Sequence, residues 1–273
     1  MKRFRNELRF DGFTVVHGQS PGGERERSSV TAPNSIDIAF LPHVRSVVRR
    51  ANGRYEERSF RVGQGGTHGI EPIEFIDVDG PSDYIEVQLS ERFLSGVGDA
   101  LGAANTHTLP ERHDIVDPVY WAVGVRLRAH ALNGWSLEEP EAHEAVTTLL
   151  NHLLVGYLGA NHRRTTRLAM DTARLKRVHD FINASLRAKL TIKEMADVAA
   201  VSPFHFIRAF KAATGLTPHE YVLSRRMERV RQGIQISGLS VAEAARSVGY
   251  QNAHHFRCAF QRYFGVTPST LSS

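Results

Sequence analysis

The sequence predicts an α+β chain of two domains: a β-rich, barrel-like N-terminal domain that ends in helices, and an all-α C-terminal domain. Three observations predict it. Short apolar–polar alternations, punctuated by Gly, Pro, Asn and Asp, fill the first hundred residues. From about residue 119 the apolar period becomes that of helices. In the last hundred residues one helical pattern occurs twice, ending in "ATGLTP" (213–218) and again in "YFGVTP" (263–268), with Phe210 and Phe260 at the same distance before each. The predicted division is 1–165 and 166–273, since 273 residues suit two cores better than one.

The strands expected in the first domain are "IDIAF" (36–40), "RSVVRR" (45–50), "EERSFRV" (56–62) and "DYIEVQLS" (83–90). In the last, Ile85, Val87 and Leu89 alternate with Glu86 and Gln88, the period of a half-buried strand. "NG" (52–53) and "DGP" (79–81) are hairpin turn signals. Helices follow over 119–132 and 145–158. The second carries an apolar stripe of Val146, Leu149, Leu150, Leu153, Leu154 and Tyr157, suited equally to a core or to a dimer seam. The polar, basic stretch 159–172 reads as a linker.

Charge separates the halves. Residues 171–273 hold 15 Lys+Arg and 7 Asp+Glu, a net +8; the remainder holds 34 − 15 = 19 basic and 29 − 7 = 22 acidic residues, a net −3. A basic module of this kind suits a polyanion partner. The single Cys258 excludes an intrachain disulfide framework and an all-Cys zinc site, and suits a reducing cytoplasm. No apolar run is long enough to span a bilayer, and no apolar segment follows the charged start as a secretory signal requires.

The repeat supplies the detail. "LTIKEMADVAAVSPFHFIRAFKAATGLTP" (190–218) aligns with "LSVAEAARSVGYQNAHHFRCAFQRYFGVTP" (239–268), with one extra residue in the second turn. Each copy opens with a capping box, Thr191 with Glu194 and Ser240 with Glu243. Each continues through a short helix and a tight turn, where Gly249 supplies left-handed freedom in the second copy. Ser202-Pro203 opens the second helix of the first copy as N-cap and N1. The result is two helix-turn-helix units, about 190–213 and 239–263.

At 100° per residue the second helix of the first copy buries Phe206, Ala209, Phe210 and Ala213. It turns Phe204, Arg208 and Lys211 outward, with His205 and Ile207 on the flanks. The second copy buries Phe256, Ala259, Phe260 and Tyr263. It presents His254, Cys258 and Gln261, flanked by His255, Arg257 and Arg262. Such outward residues reach base edges in a major groove. Between the copies, 218–234 reads as one helix, with Leu223, Met227, Val230 and Ile234 apolar and Arg225, Arg226, Arg229 and Arg231 crowding the rest. Its length of ~25 Å at ~1.5 Å per residue sets the units in successive grooves of duplex about 34 Å apart if the DNA bends.

These residues resemble the AraC/XylS-type transcription regulators. The resemblance rests on Ala196, Ser202-Pro203, Phe206, Arg208, Phe210, Gly215 and Pro218, and on Ala245, Gly249-Tyr250, His255-Phe256, Phe260, Phe264-Gly265 and Pro268. It covers roughly 172–271. It implies two units in one chain on a double-stranded promoter site, with an N-terminal sensing or dimerisation domain. The partners expected are duplex DNA, RNA polymerase, a small-molecule effector and a second copy of the chain. The family's base-contacting positions fall on Phe204, Ile207 and Arg208, and on Ala253, His254, His255 and Cys258. His205, Lys211, Arg257, Gln261, Arg225 and Arg229 complete the expected DNA surface. Gln261 stands where the family commonly has Lys, and Cys258 and Ala253 offer little hydrogen bonding, so most of the sequence reading is expected from the first unit.

Competing readings are weaker on the residues. No His-x-His occurs in 1–165, and His43, His68, His107 and His113 are scattered, so no metal or cofactor is expected. No cluster of His and carboxylate is visible around Cys258, and no base adjoins it in its helix, so no enzyme is expected. "FRVGQGGTHGIEP" (60–72) resembles the Gly-rich turns of the family's β-barrel sensor domains, but no residue names a ligand. The alternatives are an RNA-binding protein, which lacks aromatic stacking platforms here, and a regulator controlled through protein contacts alone.

Overall fold

The structure, a computed structural model, describes residues 4–20, 32–50, 52–71, 73–78, 80–102, 106–132, 137–157, 170–264 and 266–271. Nearly all of the expected linker, and Asp79 of the expected turn, lie outside them. The chain divides into two compact units, 1–131 with 135–163, and 164–273 with 132–134. No described helix is long and apolar enough to cross a membrane.

The first unit is built on two antiparallel sheets. The larger runs in the order β1 (Phe4–Phe10), β2 (Phe13–Ser20), β8 (Ser82–Leu89), β3 (Ser35–Ala39), β6 (Gln64–His68), β9 (Arg112–Val116). The smaller runs β5 (Tyr55–Phe60), β4 (His43–Arg50), β7 (Ile73–Val78). Three helices follow the strands: α1 (Glu91–Ala100) before β9, then α2 (Pro118–Leu132) and α3 (Glu139–Gly156).

The pleat assigns each face of the larger sheet a different neighbour. Ile36 pairs with Val87 and Ile38 with Ile85, all fully buried. Their face packs on α2: a side chain on Gly124 would strike Ile38 and Phe40, and one on Gly65 would strike Tyr120. Helix α2 is accordingly apolar almost all round, with Tyr120 and Trp121 fully buried. One polar anchor joins this layer. The Asp83 carboxylate takes two bonds from the Arg128 guanidinium, at 3.1 and 2.7 Å, and lies 3.2 Å from His17 Nε2.

The opposite face is polar. Asp37 pairs with Glu86 on one side and Gly66 on the other, and Arg58 of the smaller sheet reaches His113 across the gap at 3.3 Å. Here the alternation expected for β8 fails in one respect. Glu86 is buried rather than exposed, because its face looks toward the second sheet; burial lifts its carboxyl above the usual range. Gln88 donates to it at 3.0 Å. Residues 64–68, expected in Gly-rich turns, form β6 instead. Its glycines leave room for Tyr120 on one face and Asp37 on the other.

The stripe on α3 is core: Val146, Leu149, Leu150, Leu153 and Leu154 are buried within the chain. Tyr157 donates its hydroxyl to Asp117 at 3.0 Å, and His152 meets the same carboxylate oxygen at 2.8 Å. The other Asp117 oxygen accepts from Val119 and Tyr120 N–H at the start of α2.

Among its described residues the second unit carries no strand: α4 (Thr172–Ala184), α5 (Ile192–Val198), α6 (Pro203–Thr214), α7 (Pro218–Gln235), α8 (Val241–Ser247), α9 (Ala253–Phe264) and a closing 3-10 turn at Pro268–Leu271 follow one another. Helix α7 is the shared spine. Its first half meets the first repeat, with Tyr221 edge-on to Phe210 at 5.3 Å. Its second half gives Met227, Val230 and Ile234 to a core with Ala244, Ala245, Val248, Phe256, Phe260 and Phe264.

Candidate nucleic-acid interface

The two expected capping boxes are present at α5 and α8, and α7 has a third, Thr217 with Glu220. The "TPHE" string carries that signal in the sequence. The turns match bond for bond. Ala200 N–H donates to Asp197 and Val201 N–H to Ala196; in the second copy Gly249 donates to Arg246 and Tyr250 to Ala245. Ala200 and Gly249 both take left-handed φ values, 54° and 89°. The first copy thus places an alanine where the second has the glycine such a turn favours.

Each outer helix is then started by its own cap. Ser202 accepts from His205 N–H at 3.3 Å. In the second copy Asn252 accepts from His254 and His255 N–H at 2.8 and 3.0 Å. The extra residue of the second turn brings Asn252 to this position. Helix α6 ends at Gly215, whose φ of 76° turns the chain toward α7.

Helices α6 and α9 have the same length, 12 residues. Phe206, Ala209, Phe210 and Ala213 face the core of the first. In the second the buried row is Phe256, Phe260 and Phe264, with Ala259 and Tyr263 only half-buried. Spacings of four carry that row, and consecutive rings lie 5.6 and 4.5 Å apart.

The outward faces are open. Phe204, His205, Ile207, Arg208 and Lys211 are exposed on α6, and Ala253, His254, His255, Arg257, Cys258 and Gln261 on α9. Phe204 is 72% exposed, too much for a core role, and the Arg208 guanidinium lies 5.6 Å from its ring centre. Among the described residues no carboxylate pairs with Arg208 or Arg257. Cys258 does have a base beside it: His254 Nε2 lies 3.7 Å from its Sγ, one turn earlier. Adjacency along the chain does not show this neighbour, because contact on a helix is set by a spacing of four.

The arginines of α7 divide. Arg225 donates to Asn183 Oδ1 at 2.8 Å and is drawn out of solvent. Arg226 donates to the carbonyls of Leu186 and Ala188 at 2.9 and 2.6 Å. Arg231 pairs with Glu228 at 2.8 Å in the interior. Arg229 alone of the four is exposed. The even crowd of cations expected along this helix is therefore mostly a set of struts.

A family described as a helix-turn-helix domain matches residues 195–273. The MmsAB operon regulatory protein of Pseudomonas aeruginosa is 33% identical over 92 residues, 34% of this chain and 30% of that protein. The C-terminal domain belongs to the AraC/XylS type. The transcriptional activator RhaS of Yersinia pestis is 28% identical over 193 residues, 67% of this chain and 66% of that protein. Among solved structures, the C-terminal domain of AraT, a response regulator from Geobacillus stearothermophilus, is 27% identical over 39% of this chain and 87% of its own, with a TM-score of 0.35. The chain spans about a third of the length of the first two curated relatives it matches, and about two thirds of RhaS.

Proposed function

We propose that this chain is a sequence-specific duplex-DNA-binding transcription regulator that reads successive major grooves with α6 and α9. One observation carries the reading: two capped helices of equal length, fixed to one spine, each bury a phenylalanine row and each leave the opposite face open on a +8 module. Phe204, Ile207 and Arg208 are assigned to base edges on the first unit, with His205 and Lys211 beside them. Ala253, His254, His255 and Cys258 take the equivalent places on the second, with Arg257 and Gln261 toward the backbone. Arg229 is assigned to phosphate. Likeness to RhaS, named an activator, supports activation, and RNA polymerase is the partner that reading assigns. The polar groups between the sheets support control of the first unit by a small polar ligand.

The test is a salt-dependent titration of the whole chain with promoter fragments, random duplex and RNA. The reading expects affinity to fall steeply with salt, and promoter fragments to be preferred over random duplex at moderate salt. Equal affinity for promoter and random duplex overturns it, and preference for RNA selects the other class of partner.

A further inference from the structure

Between the two sheets His68, at the end of β6, meets two groups from more than forty residues further along the chain, Glu111 just before β9 and His113 on β9. We propose that His68 Nδ1, a Glu111 carboxylate oxygen and His113 Nε2 form a binding site for one divalent first-row cation of the zinc class, with one coordination position left open.

The spacing fits. Glu111 Oε1 lies 3.7 Å from His68 Nδ1 and 3.4 Å from His113 Nε2, and the three donors all lie within 4.8 Å of one another. Tetrahedral zinc with arms of about 2.0–2.2 Å has donor–donor edges of about 3.3–3.6 Å. Three protein donors with a vacant fourth position make an open site rather than a closed structural one.

The surroundings orient the donors. The His68 side chain is more than nine-tenths buried, and its Nε2 meets Asp37 Oδ1 at 2.8 Å. Its Nδ1 has no hydrogen-bond partner. A carboxylate fixes one imidazole nitrogen, and the other faces the Glu111 carboxylate without a hydrogen bond; once the ring is neutral, that is the arrangement of an oriented metal ligand. Gly66 lies between Asp37 and His113 on the same face; a β-carbon there would stand 2.8 Å from Asp37 Oδ1 and 3.4 Å from His113 Nδ1. Arg50 bonds this same Glu111 oxygen, so an ion there shares it with the guanidinium.

Arg58 competes with the ion. Its Nη1 lies 3.3 Å from His113 Nδ1, and a guanidinium only donates, so this bond leaves the ring proton on Nε2. A cation at Nε2 moves that proton to Nδ1 and expels Arg58. Removing Arg58 should therefore tighten binding, an outcome that an ion-pair network without a metal role does not produce.

The experiment is Zn²⁺ competition against a chromophoric chelator, with the full chain, and Co²⁺ absorption as a second reading of the ligand set. The expected result is one equivalent bound to wild type, weakened at least about tenfold in His68→Gln, His113→Gln and Asp37→Asn, and tightened in Arg58→Met. His254→Ala with His255→Ala should leave it unchanged. Circular dichroism confirms that each variant is folded. Absence of binding by folded wild type, or affinity indifferent to both His68→Gln and His113→Gln, overturns the proposal. X-ray absorption of the cobalt form serves where a variant does not fold: two imidazoles in the shell support the site, and none overturns it. No arm reads DNA binding, so the outcome is independent of the function proposed above.

Discussion

A β-carbon on Gly249 would fall on the carbonyl oxygen of Arg187. Arg187 belongs to the segment between α4 and α5, and Gly249 to the turn of the second repeat, so this approach joins the second helix-turn-helix unit to the segment that leads into the first. Arg226 fastens the same segment from α7. The relative setting of the two outer helices thus depends on a position that tolerates neither a side chain nor, at a φ of 89°, an ordinary residue.

Gly249→Ala should therefore destabilise the second unit by more than the ~1–2 kcal/mol that a left-handed alanine alone costs. Ala200→Gly is the counterpart. Ala200 already bears that strain at a φ of 54°, so glycine there should be neutral or stabilising despite the greater freedom it gives the unfolded chain. Urea unfolding of both variants measures the contrast. A Gly249→Ala cost no larger than the Ala200→Gly gain would show that the Arg187 approach does not constrain the turn.

Arg208→Ala should cost about 1–3 kcal/mol on a cognate site and relax preference at one base position. Arg229→Ala should weaken all duplexes alike and lower the salt slope by about one. Arg225→Ala is expected to act differently from both. It removes the strut to Asn183 and should lower thermal stability before it touches specificity. Binding to a library of site variants, alongside melting curves, separates the three patterns.

Phe260 is fully buried with Phe256 and Phe264 against α7. Phe260→Ala should cost about 3–5 kcal/mol. Calorimetry on the full chain should show the transition of the second unit shifted and that of the first unmoved. An unchanged melt would place Phe260 on the wrong side of α9.

Acid should loosen the helix starts. The Glu220 carboxyl is held below its usual range by the Thr217 hydroxyl and then by the Thr217 N–H, and Glu194 and Glu243 likewise by Thr191 and Ser240. A depressed folded value means stability that is present above the unfolded pKa, about 4.3, and lost as pH falls through the folded one. Glutamine completes the same box without titrating. The difference in urea midpoint between wild type and Glu220→Gln should thus favour wild type near neutrality and shrink between roughly pH 5 and 3. A difference independent of pH would detach the cap from acid sensitivity.

What the sequence disclosed, and what it hid, follows from the range of each signal. The capping boxes, the repeat and the phases of Phe206, Phe210, Phe256 and Phe260 are local: each is set within one or two turns of helix, and each lies in the structure at its expected place. The patterns of β2, β6, β7 and β9 are set by neighbours distant in sequence, whereas β1 pairs only with β2 across the tight turn at Phe10 and Phe13, yet its alternation of charged and apolar residues does not stand out from the rest of the chain. Gly65 and Gly66 read as turn residues until Tyr120, Asp37 and His113 are seen to close on them. His68 and His113 read as scattered because only the pairing of β6 with β9 makes them neighbours. Arg225 read as surface because Asn183, its acceptor, lies on another helix.

Cys258 is exposed at the outward centre of α9, in the place Arg208 holds on α6, with His254 3.7 Å from its sulfur. An adduct on that sulfur projects from the face assigned to the groove, and no second cysteine exists in the chain to trap it as an internal disulfide. Alkylation should therefore weaken DNA binding by the assembled protein without altering its melting temperature. Cys258→Ser keeps the size and the outward direction of the side chain, so it should bind DNA as wild type does and ignore the reagent. His254→Ala, which removes the neighbouring base, should slow labelling. Bound DNA should protect the thiol in proportion to its occupancy, and mass spectrometry of the labelled peptide measures both effects. If DNA binding survives stoichiometric labelling, Cys258 does not face the groove, and the second unit meets DNA through some other surface than the one aligned here with α6.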